Sequence, residues 1–287
     1  MLPDERSAAG LYIYELGTAT FSHREEAIRQ ADAIEIKIGQ AAKPGLGGSL
    51  PQAKITAEIA AIRGISADRD SHSPGRHTGI DTPDDLKRRV ADLREMTGGR
   101  PIGIKFTAGR VEADLAVALA AKPDFITIDC RGGGTGSGPD FVKDNVCLPP
   151  IYALHRARRF LDQEGSKVTL CITGGFRDST DIAKALAMGA DAVALATSSM
   201  IAVGCQQYRV CHTGRCPVGI ATQDPKLRER LDVEQSAARV ANYFRAVNEE
   251  LQMFARLTGH KDVHELGVGD LCTVSSEISG FTDIEHV

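Results

Sequence analysis

Three cysteines, Cys205, Cys211 and Cys216, stand between Gly204 and Gly219 with the spacing C-x5-C-x4-C-P. Soft thiolates suit iron and zinc, and a tetrahedral zinc site or a four-iron cluster asks for four ligands. An odd count therefore hints at a three-iron cluster. Two other readings use the same residues. His212 could complete a Cys3His zinc site, or the thiols could be ordinary buried cysteines. Spacing alone leaves all three open.

A second set of residues lies just after short apolar runs: Gly39-Gln40, Thr107-Ala108-Gly109, Arg131 to Gly136, Gly174-Gly175 and Thr197-Ser198-Ser199. The runs themselves, Tyr12 to Leu16, Ala33 to Ile38, Ile102 to Phe106, Phe125 to Asp129, Val168 to Thr173 and Ala192 to Ala196, read as strands. Ser22 to Ala31, Pro83 to Thr97, Val111 to Ala121, Pro150 to Asp162, Ser179 to Met188 and Lys226 to Leu257 carry apolar residues at helical spacing. Alternating strands and helices imply a parallel sheet, and near-continuous apolar strands imply burial on both faces. In a (β/α)8 barrel the carboxyl ends of the strands carry the active site. Gly174-Gly175 after one strand and Ala196-Thr197 after the next match the phosphate site that barrels build from strands seven and eight; simple tight turns are the alternative.

Counting back from that pair, six strands are visible and the first would be strand three. The expected fold is an α/β (β/α)8 TIM barrel lacking its first two strands, as in a fragment or a late start, with an open sheet as the alternative. Residues 1–225 would form the barrel, with the cysteine loop at 204–217, and residues 226–287 a helical extension packed on it. The loop from Gly39 to Pro51 is long for a barrel turn, which suggests function.

Composition narrows the partners. A chain of 287 residues, 42% hydrophobic, can bury a full core. Its net charge of -4 and pI near 6.1 give no electrostatic case for nucleic acid or an anionic membrane. No apolar run reaches about 18 residues and the start lacks a signal-peptide layout, so a cytoplasmic protein is expected. Seven cysteines there are not a disulfide framework. Cys130, Cys147, Cys171 and Cys272 are read as structural.

The run Ile36 to Pro51 (IKIGQAAKPGLGGSLP) closely resembles the hallmark of the FMN-binding synthase domain of the glutamate synthase family. Ser73-Pro74-Gly75-Arg76-His77 with Ile80-Asp81, Gly132 to Gly136, Thr173-Gly174-Gly175 and the stretch from Gly204 to Gln223 are similar to further segments of that family, in order. The resemblance implies a barrel holding FMN and a [3Fe-4S] cluster on Cys205, Cys211 and Cys216. It has departures: Thr18-Ala19-Thr20-Phe21 lacks an arginine of the family pattern, and Cys130-Arg131 replaces a His-Asp. Leu2 follows Met1, so no N-terminal cysteine nucleophile of the glutaminase kind is expected.

The implied chemistry is reductive amination of 2-oxoglutarate through 2-iminoglutarate. Electrons would reach FMN through the cluster from a ferredoxin or an NAD(P)H-linked reductase subunit, and ammonia would come from solution or a separate glutaminase. Lys37 and Lys105, at strand ends where an isolated buried ammonium is costly, would face flavin and substrate; rim lysines are the alternative. Gln40 would hydrogen-bond flavin or substrate. Gly133, Gly134, Thr135, Gly136, Gly174, Gly175, Ala196 and Thr197 would cradle the cofactor. Asp129 would orient a lysine or meet the ring, or simply pair with Lys105. Lys43 is expected in solvent unless its loop folds over the substrate, and His72 and His77 are unassigned. His212 would tune the cluster or lie on the surface. Arg209 and Arg215 would favour an acidic donor. Methylamine in place of ammonia, as in N-methylglutamate formation, and a truncated non-catalytic electron-transfer or assembly subunit are the alternatives.

Overall fold

The computed structural model describes residues 3–287; Met1 and Leu2, on which the expectation about an N-terminal nucleophile falls, lie outside them. Six strands, β1 (Ile13–Leu16), β2 (Ala33–Lys37), β3 (Ile102–Thr107), β4 (Phe125–Asp129), β5 (Thr169–Thr173) and β6 (Ala192–Ala194), form one parallel sheet in sequential order. Its main helices are α1 (Glu25–Gln30), α2 (Pro83–Met96), α3 (Val111–Ala120), α4 (Pro150–Gln163), α5 (Ser179–Ala187), α6 (Thr197–Val203) and α7 (Val233–Leu257). Among the described residues β1 and β6 each have one sheet neighbour, so the sheet is open. It is a half-barrel that matches a (β/α)8 barrel without its first strands.

Aspartates at the starts of alternate strands set the register. Asp32, Asp124 and Asp191 accept the amides of Tyr12, Ile102 and Leu170, each at 2.7 Å, so each carboxylate holds the beginning of the strand before its own. Bonds from a charged acceptor are stronger than neutral ones. Helix starts are capped in the same way: Thr82 and Asp85 form a capping box on α2, and Asp178 caps α5.

β4 is buried along its whole length, as expected, but the other strands are not buried on both faces. Leu16, Ile34, Ile36, Ile104, Ile126, Ile128, Leu170 and Ile172 pack with Leu93, Leu115, Leu154 and Leu161 of the helices. Each such burial contributes about 1.5–3 kcal/mol. The alternate positions carry Glu15, Glu35, Lys37, Lys105, Thr127 and Thr173, which line the other face. The helix expected from Lys226 to Leu257 is broken. Asp224 caps a short turn, Pro225–Arg228, and Asp232 accepts the amide of Gln235 to start α7 afresh. A short parallel pair, Cys272–Thr273 with Glu285–His286, joins the C-terminal helices. Near the N-terminus Thr20–Ser22 is a 3-10 turn and α1 begins only at Glu25. Among the described residues no helix is long and apolar enough to cross a membrane.

Candidate active site

Lys37 ends β2, as expected, but Lys105 sits within β3 rather than at its end, opposite Lys37 in register. Both ammonium groups reach one carboxylate: Lys37 Nζ lies 2.9 Å from Glu15 Oε1 and Lys105 Nζ 2.7 Å from Glu15 Oε2. Glu35 lies 3.5 Å from Lys105 and accepts a 2.6 Å bond from the Thr127 hydroxyl. Burial raises the Glu15 carboxyl, but Lys105 and Lys37 outweigh it and hold it below the usual carboxylate range. For Lys105 burial acts downward, and Glu15 and Glu35 carry it above the ordinary lysine value. Asp129 does not pair with Lys105. It is buried, accepts the Ala41 amide at 3.1 Å, and burial pushes its pKa up.

That bond pins the loop after β2 to the end of β4. Lys43 is half-buried rather than solvated, its Nζ 3.1 Å from Ser137 Oγ and 3.4 Å from the Gly47 carbonyl. Burial and then repulsion by Lys37 lower its pKa. Lys37, Gln40 and Lys43 converge on a cavity of about 240 Å³ that Glu15, Phe21 and Ser73 also line. His77, unassigned from sequence, is buried and donates from Nε2 to the Lys37 carbonyl at 2.8 Å; burial lowers its pKa. His72 forms part of a two-residue ribbon with Ser49–Leu50.

Lys37 and Gln40 also open onto a cavity of about 950 Å³ at the strand ends. Lys105, Asp129, Gly133, Gly134, Gly174, Gly175, Ala196 and Thr197 line it, so most of the expected residues do meet. Thr135 and Gly136 are not among its lining residues. Gly174 has φ +103°, and a Cβ there would lie 2.2 Å from the Cys130 carbonyl oxygen, so glycine is required. At the start of α6, which no side chain caps, the Ser198 hydroxyl is buried with no partner among the described residues. A buried hydroxyl without a partner costs about 1–3 kcal/mol. Arg239 and Tyr243 of α7 complete this end of the cavity. Ser198 belongs to the Thr197-Ser198-Ser199 run expected after the last strand, although only Thr197 was singled out there; nothing in the sequence marks Arg239, because α7 reaches the site only through the fold.

Cysteine chemistry divides in two. Burial raises Cys130 well above its ordinary value, raises Cys147, and takes Cys171 to about 11; Cys272 is exposed. Burial also acts upward on Cys216, but the backbone amides of Ala221, Val218, Ile220 and Gly219 overcome it and favour the thiolate. Gln207 and Arg209, between Cys205 and Cys211, hold left-handed φ of 54° and 57°, which costs non-glycine residues about 1–3 kcal/mol each. A Cβ on Gly136 would lie 2.6 Å from Cys211 Cβ, so the glycine loop beside the cavity touches the cysteine loop directly. Lys54 Nζ donates to the Cys211 carbonyl at 2.5 Å. Among the described residues no group of three metal-ligating side chains is placed to hold an ion, Cys205, Cys211 and Cys216 included, and His212 is exposed.

A family profile described as the conserved region in glutamate synthase matches residues 1–261. A glutamate synthase large subunit-like protein of Rhizobium meliloti is 35% identical, covering 99% of this chain and 69% of its own length. An archaeal glutamate synthase (NADPH) of Methanocaldococcus jannaschii is 40% identical over 88% of the chain, which spans 51% of that relative. Among solved structures, the flavin-binding domain of baker's yeast flavocytochrome b2 superposes with a TM-score of 0.55 at 18% identity, over 93% of this chain and 57% of that one. A mandelate oxidase with (S)-mandelic acid gives 0.54 at 14%, over 92% and 63%. At these identities the likeness is one of fold.

Proposed function

Because the chain belongs to the glutamate synthase family, we propose that it is an FMN-dependent oxidoreductase that aminates 2-oxoglutarate reductively, with electrons delivered through a [3Fe-4S] cluster. The observation that carries the reading is the Ser198 hydroxyl, without a partner among the described residues, in a cavity of about 950 Å³ lined also by Gly174, Gly175, Lys37 and Lys105. The residues fit FMN: Ser198, Gly174, Gly175, Ala196 and Thr197 would hold its phosphate, with Arg239 adding charge, and Gly133, Gly134 and Lys105 would lie along the ring. The thiolate-favouring amides around Cys216 fit an iron–sulfur ligand, and Cys205 and Cys211 would supply the others. When bound, FMN supplies hydride to the imine carbon and the cluster supplies electrons singly.

The chain's own residues bind and orient. Lys43 and Gln40 present a cation and an amide to the smaller cavity, where Lys37 is already paired with Glu15; this suits one carboxylate of a dicarboxylate. Asp129 anchors the loop that carries Gln40 and Lys43, and His77 fixes the end of β2 from below Lys37. Arg209 and Arg215, both exposed, flank the cysteines and favour an acidic donor such as a ferredoxin.

Anaerobically purified protein should show flavin and iron–sulfur absorption and quench added FMN fluorescence. With a reduced viologen it should form glutamate from 2-oxoglutarate and ammonia; N-methylglutamate from methylamine would shift the amine instead. Folded protein that neither quenches FMN nor aminates with either amine would overturn the reading. Cys211→Ala should lose all cluster iron while the fold and FMN quenching persist, as iron analysis would check.

A further inference from the structure

Two ammonium groups face the strand-end cavity, and neither is free. Glu15 spans both, at 2.9 Å from Lys37 and 2.7 Å from Lys105, and Glu35 adds a second carboxylate 3.5 Å from Lys105. Glu15 and Glu35 are also Cα partners across β1 and β2. Like charges directly opposite destabilise a sheet, and here the lysines lie between them. With Asp129 the layer holds three carboxylates, Glu15, Glu35 and Asp129, against two ammoniums, Lys37 and Lys105. Cations beside a flavin ring stabilise the electron-rich reduced form, so a carboxylate that neutralises them acts on the flavin at one remove.

We propose that Glu15 is the counter-ion that keeps a flavin in this cavity at low potential, a positioning residue acting through Lys37 and Lys105 by withholding their charge from the ring. The proposal rests on the FMN reading above. A donor at low potential suits hydride delivery to an imine. It also makes the oxidised ring a poor target for small anions.

Glu15→Gln keeps size but removes one charge and one of the two acceptors, because an amide nitrogen cannot accept from an ammonium; two carboxylates then stand against two ammoniums. Sulfite is the probe: its lone pair forms a bond to the oxidised ring, which takes up the displaced pair as negative charge and bleaches. In FMN-loaded Glu15→Gln the sulfite Kd should fall at least tenfold, and the midpoint potential should rise by about 30 mV, the equivalent for a two-electron couple. Glu15→Asp, too short to span both lysines, should shift both readouts part of the way and serves if Glu15→Gln does not fold by circular dichroism. Unchanged or weaker sulfite binding in a folded, FMN-loaded variant overturns the role of Glu15. Wild-type protein that fails to quench FMN fluorescence overturns the flavin reading instead.

Discussion

The sheet face turned away from the helices is built differently on its two sides. Across β1, β2 and β3 it carries Glu15, Glu35, Lys37 and Lys105 in a connected charge network. Across β5 and β6 it carries Thr173, Ala192 and Ala194, followed by glycines and an unpartnered serine. The first side satisfies its polar groups internally, while the second leaves room and a hydroxyl without a partner. One side therefore tunes charge, and the other is shaped to receive an anion through backbone and hydroxyl contacts.

Four substitutions would break or sharpen that contrast. Gly174→Val puts a branched side chain where φ is +103° and the Cys130 carbonyl is 2.2 Å from the new Cβ. It should cost about 4 kcal/mol and abolish FMN quenching, by denaturant titration and fluorescence. Lys105→Met leaves Glu35 without a cation within the network and Glu15 with only one. We expect a loss of about 2 kcal/mol, below the value for a fully buried pair because Glu15 is half exposed. A full-length stability curve unchanged from wild type would mean that the network is solvated.

Ser198→Ala should separate binding from stability. Removing an unpartnered hydroxyl should stabilise the apoprotein by about 1 kcal/mol while weakening FMN about tenfold; equal affinity would move the phosphate elsewhere. The smallest effect is expected at His77, whose pKa is lowered by burial. The unfolded chain then takes up the proton first, so this residue's share of stability is present above about pH 6.5 and falls as pH drops through the lowered folded value. His77→Gln should flatten that acid limb, as pH-dependent melting would report.

All six strands and the residues at their carboxyl ends were legible from alternation and glycine clusters, because a parallel strand followed by a helix leaves local marks. The lining of the larger cavity by Lys37, Gln40, Gly133, Gly134, Gly174, Gly175, Ala196 and Thr197 follows from the same pattern. Thr107 extends β3 one residue beyond the expected boundary, so Lys105 lies two residues before its end and still lines the cavity. Thr135 and Gly136 belong to the same glycine run as Gly133, but Gly136 lies against Cys211 instead of lining the cavity. Asp32, Asp124 and Asp191 recur before alternate strands, and that regularity was available in the sequence.

The sequence by itself determined the order of strands and helices, the family, and the set of thiols, lysines and glycines, since these depend on short spacings and residue types. Only the tertiary structure decided that Glu15 joins Lys37 to Lys105 across 22 and 90 residues, that His77 supports Lys37, and that Ser198 is left unsatisfied. Ion pairing and burial depend on which side chains meet in space, and spacing along a chain does not encode that.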